Sequence, residues 1–218
     1  MEPGDYDEKG EVTMFFKVGQ PPSTYELHVL TLDLQRPSHI SIVYLWSDRR
    51  KRFVVKKTRE GLNELEIFKI LSTLPKSENI ISLHKSFQTQ SALWAITPEM
   101  SSVVKCVSLL SGELNRKVVE VCWGLINGVA HLHKFCITHR DIKPENLVVD
   151  KNFTLKIIDF DSAMQVKGED EVVDGICGMK GWMAPKLVRK SMYSPIRVDR
   201  WSTGKVIFYL LDKFRKED

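Results

Sequence analysis

The hydrophobic pattern of this chain shifts near residue 100, from mostly strand-like to mostly helical, and that shift limits what the chain can fold into. Before it, "YELHVLTLDL" (25–34), "HISIVYLWS" (39–47) and "RFVVKK" (52–57) alternate and are rich in β-branched and aromatic residues. That pattern predicts three strands joined by short turns. "NIISLHKSFQ" (79–88) and "ALWAITPEM" (92–100) read as two more strands. Between the two sets, "EGLNELEIFKILSTL" (60–74) spaces Leu62, Leu65, Phe68 and Leu71 as a helix does. After residue 100, "RKVVEVCWGLINGVAHLHK" (116–134) puts Val118, Cys122, Leu125, Val129 and Leu132 on one helical stripe. "VDRWSTGKVIFYLLDKF" (198–214) reads as a second long helix. The expected architecture is α+β: a loosely ordered segment at 1–24, a small antiparallel β lobe with one helix at 25–100, and a mainly helical lobe at 101–218. The hinge is expected at 98–102.

Composition narrows the functional classes. With 218 residues and 43% apolar side chains, the chain can bury the core of one sizeable domain or of one domain of two lobes. Its 32 basic and 28 acidic residues leave a net charge of only +4. The densest basic run, "DRRKR" at 48–52, reads as a solvated hairpin turn rather than a nucleic-acid patch. The four cysteines, at 106, 122, 136 and 177, form no C-x-x-C pair and have no zinc spacing. They read as reduced thiols. The opening "MEPGDYDEKGEV" has no apolar stretch of signal-peptide type. No apolar run approaches the roughly 20 residues a membrane span needs. These features predict an intracellular protein, cytoplasmic or nuclear, with neither nucleic acid nor membrane as partner.

The chemistry concentrates in "THRDIKPENLVV" at 138–149, between the long helical stripe and "LKIIDF" at 155–160. Asp141, Lys143 and Asn146 follow one another at spacings of two and three, and Asp159 comes thirteen residues after Asn146. A solvated loop rarely gathers acid, ammonium and amide so closely.

These motifs resemble the eukaryotic protein kinase superfamily, and the resemblance runs from about residue 30 to the end. "HRDIKPEN" (139–146) fits the catalytic-loop pattern H-R-D-x-x-x-x-N, and "DFD" (159–161) stands where D-F-G belongs. "RFVVKK" resembles the strand that ends in the phosphate-pairing lysine, "GWMAPK" (181–186) the A-P-E segment, and "VDRWSTG" (198–204) the central helix of the large lobe. The resemblance implies a bilobal kinase-like fold and an ATP-dependent protein serine/threonine kinase using Mg²⁺. A pseudokinase or kinase fragment acting as a binding module is the alternative. Asp141 would orient the substrate hydroxyl and accept its proton, and Lys143 would neutralise the phosphate in flight. Asn146 and Asp159 would hold Mg²⁺ through hard oxygen ligands. Lys56 would pair with the α- and β-phosphates and be fixed by Glu64, with Glu66 the second choice. Glu99 and Met100 would meet adenine, with Thr97 at the inner end of that hinge. Val43, Val54 and Val148 would sandwich the ring. His139 and Asp199 would be structural.

Several positions depart from the family pattern. "RPSHISIV" (36–43) puts Arg36, Ser38 and Ser41 where phosphate-loop glycines belong, which predicts weak nucleotide binding. Asp161 replaces the D-F-G glycine at a turn expected to need left-handed backbone. Met179 stands where a threonine would link the catalytic Asp and Lys. No Ser, Thr or Tyr lies between 163 and 181. One of Glu169, Asp170, Glu171 and Asp174 is therefore expected to pair with Arg140 in place of a phosphate. Lys186 replaces the A-P-E glutamate. The helices that cover "VIFYLL" (206–211) in the family are absent from this chain, so a protein partner or a second copy is expected over that helix.

Overall fold

The computed structural model describes residues 13–17, 24–28, 43–48, 51–58, 64–88, 93–108, 112–185 and 192–214. The alternating segments pair into one antiparallel sheet. Its strands are β1 (Thr13–Lys17), β2 (Thr24–His28), β3 (Val43–Asp48), β4 (Lys51–Thr58), β5 (Lys85–Gln88) and β6 (Leu93–Pro98). Their order across the sheet is β1-β2-β3-β4-β6-β5. This sheet belongs to a first compact unit drawn from Met1–Leu65 and Ser82–Glu99. β4 is central: Lys56 lies opposite Val43 on one side and Ala95 on the other.

One strand differs from the sequence reading. β1 falls inside the stretch read as loosely ordered. Its "TMFFK" run carries Met14, Phe15 and Phe16, and Gly10 and Gly19 flank it rather than interrupt it. Residues 29–42, which held part of two expected strands, lie outside the described residues.

The second unit takes in Glu66–Ile81 and Met100–Asp218. The helix placed by sequence with the small lobe, α1 (Glu64–Thr73), therefore packs with this unit from Glu66 onward. Phe68 explains part of that: its ring meets Phe160 edge-on at 5.5 Å. The other helices are α2 (Val103–Ser108), α3 (Gly112–Lys134) and α4 (Pro195–Phe214). Three short strands, β7 (Ser101–Ser102), β9 (Leu147–Val149) and β10 (Leu155–Ile157), form a sheet in the order β10-β9-β7. β8 (Ile137–Thr138) pairs with β11 (Met164–Gln165).

α3 buries Leu114, Val118, Val121, Cys122, Leu125, Val129 and Leu132, the stripe its sequence spacing sets out. Gly124 and Gly128 lie on the same buried side. A Cβ at 124 would meet the Asn79 amide nitrogen at 3.0 Å, and one at 128 would meet Ile157 Cδ1 at 2.9 Å and the Asn79 carbonyl at 3.0 Å. The two glycines thus let the helix backbone close on residue 79 and β10. Asn79 is itself a staple. Its side-chain amide donates to the Leu155 carbonyl at 3.0 Å, and its carbonyl accepts from Ile157 N–H at 2.9 Å. This layer of β9, β10 and α3 is the floor on which the charged loop stands.

Candidate active site

The loop between β8 and β9 carries "HRDIKPEN", and buried groups fix it from below. Asp199, just past the first turn of α4, is 1% exposed. Its carboxylate accepts from His139 N–H at 2.7 Å, Arg140 N–H at 2.8 Å and His133 Nε2 at 3.2 Å. Arg140 sits in left-handed backbone at φ 63°, a conformation disfavoured for a side-chain-bearing residue. The hydrogen bond from its N–H to Asp199 holds it there.

His139 is fully buried and touches the Phe160 ring at 5.1 Å. Its Nε2 lies 2.9 Å from the Ile158 carbonyl, and its Nδ1 lies 3.3 Å from Asp141 N–H. A carbonyl only accepts, so Nε2 carries the proton and Nδ1 accepts from Asp141. His139 therefore links the 139–146 loop to the residue before Asp159.

Two predicted residues converge on the carboxylate of a third. Lys143 Nζ donates to Asp141 Oδ2 at 2.6 Å. The Asn146 amide donates to the same Oδ2 at 3.0 Å and to the Asp141 carbonyl at 2.9 Å. Both side-chain partners use Oδ2, so the carboxylate is oriented and Oδ1 carries neither bond. A shallow depression beside it is lined by Asp141, Cys177, Gly178, Met179, Trp182 and Met183, among others. Gly178, at φ 97°, passes so close that a Cβ would lie 3.0 Å from the Arg140 carbonyl and 3.8 Å from Asp141 Oδ1. Only a glycine leaves that approach open without strain.

Asn146 is buried and ends a short 3₁₀ turn over Pro144–Asn146. Its carbonyl accepts from Ile158 N–H at 3.0 Å. Asp159 follows in left-handed backbone at φ 67°. The left-handed residue of this turn is thus Asp159, whereas Asp161 lies inside the 3₁₀ turn Phe160–Ser162. The Asp-for-Gly replacement at 161 does not meet the conformation for which a glycine was expected.

In the first unit, Lys56 Nζ lies 3.0 Å from Glu64 Oε2, and the Glu64 side chain is only 3% exposed. Glu66 is exposed. Val54 is half-buried opposite Thr97 on β6. Val43 begins β3, and its side chain lies outside the described residues. Of the proposed adenine contacts, Val43, Val54 and Glu99 fall in the first unit, and Met100 and the buried Val148 in the second. Arg36, Ser38, Ser41 and Lys186 lie outside the described residues.

The acidic run is partnered differently from the sequence expectation. Arg140 Nε donates to the Ser162 carbonyl at 2.6 Å. Glu169 instead takes both guanidinium nitrogens of Arg200, the second at 3.0 Å, and Asp170 takes Arg197 at 3.4 Å. Glu171 accepts from Lys167 N–H, and Asp174 from Gly175 N–H at 2.7 Å. The reason is distance along the surface: the run lies against the start of α4, where Arg197 and Arg200 project. The Arg200 hydrogen bond holds the Glu169 carboxyl below the usual range. A two-way backbone bridge between Val173 and Tyr193, at 2.9 and 3.0 Å, fastens the same segment. Burial pushes the Tyr193 hydroxyl up, and the nearby Arg140 guanidinium opposes that shift.

Sequence reasoning missed His133, Asn79, Gly178 and the glycine pair of α3. Only the glycines carried a signal: two small residues four apart on an otherwise apolar helix face.

An α+β chain of two units, with an anchored Asp–Lys–Asn loop next to a second aspartate, defines a protein-kinase-like fold. Residues 46–215 match the protein kinase domain family, and the chain belongs to that family. Among curated relatives, CBL-interacting serine/threonine-protein kinase 2 of Arabidopsis thaliana is 28% identical over 174 residues, covering 78% of this chain and 37% of the relative. Serine/threonine-protein kinase DCLK3 of Mus musculus is 30% identical over 168 residues, covering 72% of this chain and 20% of the relative. Serine/threonine-protein kinase oca2 of Schizosaccharomyces pombe is 40% identical over 105 residues, covering 46% of this chain and 16% of the relative. The chain spans well under half the length of these three relatives.

Proposed function

We propose that this chain is an ATP-dependent protein serine/threonine kinase, moving the γ-phosphate of Mg·ATP to a protein hydroxyl. The observation that carries the proposal is the Asp141 carboxylate, with Lys143 and Asn146 both on Oδ2. Oδ1 is then the oxygen that accepts the proton of the substrate hydroxyl. As that proton leaves, the substrate oxygen bonds to the γ-phosphorus. The bond from that phosphorus to the β–γ bridging oxygen breaks, and ADP departs. Lys143, 2.6 Å from Oδ2, brings an ammonium to the negative charge of the group in flight. Lys56, fixed by Glu64, offers a second ammonium for phosphate.

The residues present fit a hard divalent cation. Asn146 uses its amide nitrogen on Asp141, which turns its side-chain oxygen away as a ligand. With the Asp159 carboxylate it supplies the oxygen donors Mg²⁺ prefers. The ion, when bound, neutralises phosphate charge.

One observation favours a second reading, a nucleotide-binding pseudokinase. Met179 replaces a hydroxyl beside Asp141 and Lys143, and those two residues close directly on each other. Radiolabelled γ-phosphate transfer from Mg·ATP to a generic basic protein separates the readings. Asp141→Asn is expected to lower transfer by about 10²–10⁴-fold, the usual contribution of a positioned base. Equal, background-level transfer by both chains, with nucleotide binding retained, would establish the pseudokinase reading. The four cysteines are free thiols, which supports an intracellular setting.

A further inference from the structure

Three donors fix the Asp199 carboxylate, and they come from two parts of the unit. His139 N–H and His133 Nε2 share Oδ2, at 2.7 and 3.2 Å, and Arg140 N–H takes Oδ1 at 2.8 Å. The two backbone donors belong to the 139–146 loop itself. They tie that loop to the carboxylate but do not decide where the carboxylate points. Among the described residues, His133 is the one donor from outside the loop. It stands in the last turn of α3 with its side chain only 9% exposed, so water competes little for its bond. A carboxylate only accepts, so Nε2 carries the proton.

These bonds close a circuit. His133 leads from α3 to Asp199 on α4, Asp199 to His139 in the loop, and His139 Nε2 to the Ile158 carbonyl just past β10. β10 returns to α3, where Gly124 and Gly128 let the two close together. The loop is thereby set from three elements at once. Arg140 stands inside the circuit at φ 63°. Asp141, next in the chain, gives its N–H to His139 Nδ1 at 3.3 Å. A carboxylate free to turn would release the left-handed backbone of Arg140, and with it the placement of Asp141.

We propose that His133 is a positioning residue for the phosphate transfer. It orients the Asp199 carboxylate and, through His139 and Arg140, the carboxylate of Asp141. The role in transfer rests on Asp141 as the base, whereas the role in holding the loop does not. Among the described residues the His133 side chain bonds to Asp199 alone, so its effect on the reaction passes through that carboxylate.

Three variants of the full 218-residue chain test it. His133→Phe keeps a ring and removes the donor. His133→Asn carries an amide only as far as Nδ1, short of Asp199, whereas His133→Gln carries one about as far as Nε2. Amide hydrogen exchange followed by NMR reads the loop without turnover. Ile157 N–H, bonded to the Asn79 carbonyl at 2.9 Å in the floor, reports opening of the unit as a whole. Relative to it, Arg140 N–H is expected to exchange at least about tenfold faster in the Phe and Asn variants, the usual effect of losing a bond to a charged group. His133→Gln should return the ratio to within about twofold of wild type. In phosphate transfer the Phe and Asn variants should lose about tenfold in kcat with the KM for ATP unchanged, and Gln should recover most of it. If the Phe chain fails to fold, the Asn and Gln variants, alike in polarity, decide alone. Exchange that rises equally at Arg140 and Ile157 would mean a packing role only and would overturn the proposal. So would a Gln variant as impaired as Asn. A wild-type chain that transfers no phosphate while the exchange pattern holds sinks the kinase reading, and the hold of His133 on the loop stands.

Discussion

The loop at 139–146 and the segment at 167–185 belong to the same unit but are held by different means. The first rests on buried groups: a 1%-exposed carboxylate, a fully buried imidazole and a buried amide, each bonded to backbone. The second is fastened over 169–173 by the exposed Glu169–Arg200 and Asp170–Arg197 pairs and one short backbone bridge, and is buried only toward its end, where Ala184 packs with Tyr193 and Val198. Buried partners cannot be replaced by water, whereas exposed ones can. The part that positions Asp141 is therefore built to stay fixed. The part that borders it is built to be adjusted.

That contrast breaks most sharply at Asp199. Asp199→Ala removes the acceptor for His139 N–H, Arg140 N–H and His133, and leaves two buried backbone donors unpaired. A loss of about 3–5 kcal/mol is expected, as when one partner of a buried charge network is deleted. Chemical denaturation would show it as a lower midpoint, and Arg140 would lose the bond that holds its left-handed backbone. A midpoint unchanged within error would mean that the loop is held by something other than this carboxylate.

The floor beneath the loop comes next. In an open helix position Gly→Ala gains up to about 1 kcal/mol. At Gly128 the added Cβ meets Ile157 Cδ1 at 2.9 Å, which can move, and the Asn79 carbonyl at 3.0 Å, which is tied to Ile157 N–H. The backbone contact decides the sign, and Gly128→Ala should destabilise by about 1–3 kcal/mol, the usual range for overpacking. Gly112 is the control: a Cβ there meets only the end of Arg116, at 3.9 Å, so Gly112→Ala should be neutral or stabilising. If both variants melt alike, the close packing of α3 on residue 79 does not carry the weight assigned to it.

Gly178 tests the border between the two regions. Gly178→Ala puts an L side chain at φ 97°, which costs about 1–2 kcal/mol, and crowds the approach to Asp141 Oδ1. Because that residue faces the carboxylate, phosphate transfer should fall more than stability does. Equal transfer by wild type and variant would remove Oδ1 from the proposed role of base.

What the sequence made legible was whatever depends on local spacing. Asp141, Lys143 and Asn146 sit within six residues and could be assigned roles from the loop motif alone. The α3 stripe was legible for the same reason. The anchors depend on long-range contact and carry no local mark: Asp199, which reaches His139 across 60 positions, was placed only through the family resemblance, and His133 was missed. Asn79 reaches Leu155 across 76. The acidic run at 169–174 was expected to pair with Arg140 in place of a phosphate, and it does not. Arg140 was chosen for its place in the motif. The structure instead presents Arg197 and Arg200, three apart at the exposed start of α4, and the nearer cations take the acids. β1 was passed over because Gly10, Gly19, Pro21 and Pro22 were read as breaking up the first 24 residues, although Met14, Phe15 and Phe16 between them are apolar.

The smallest effect belongs to the surface clasp, and its size is what makes it informative. Glu169 is solvent-exposed, so water and salt compete for Arg200, and Glu169→Gln should move the melting temperature only slightly. The direction with pH is fixed by linkage. Arg200 holds the Glu169 carboxyl below its usual range, so the folded state binds this proton less readily than the unfolded chain does. The clasp therefore contributes fully above the ordinary glutamate value of about 4.3, and its contribution disappears as pH falls through the lowered folded value. It should also fade in about 1 M salt, where the screening length falls to about 3 Å. Wild type and Glu169→Gln should thus differ slightly at neutral pH and low salt, and converge in acid or in salt. A difference that survives both conditions would mean the segment is held by burial, as the catalytic loop is, and the contrast between the two regions would then fail.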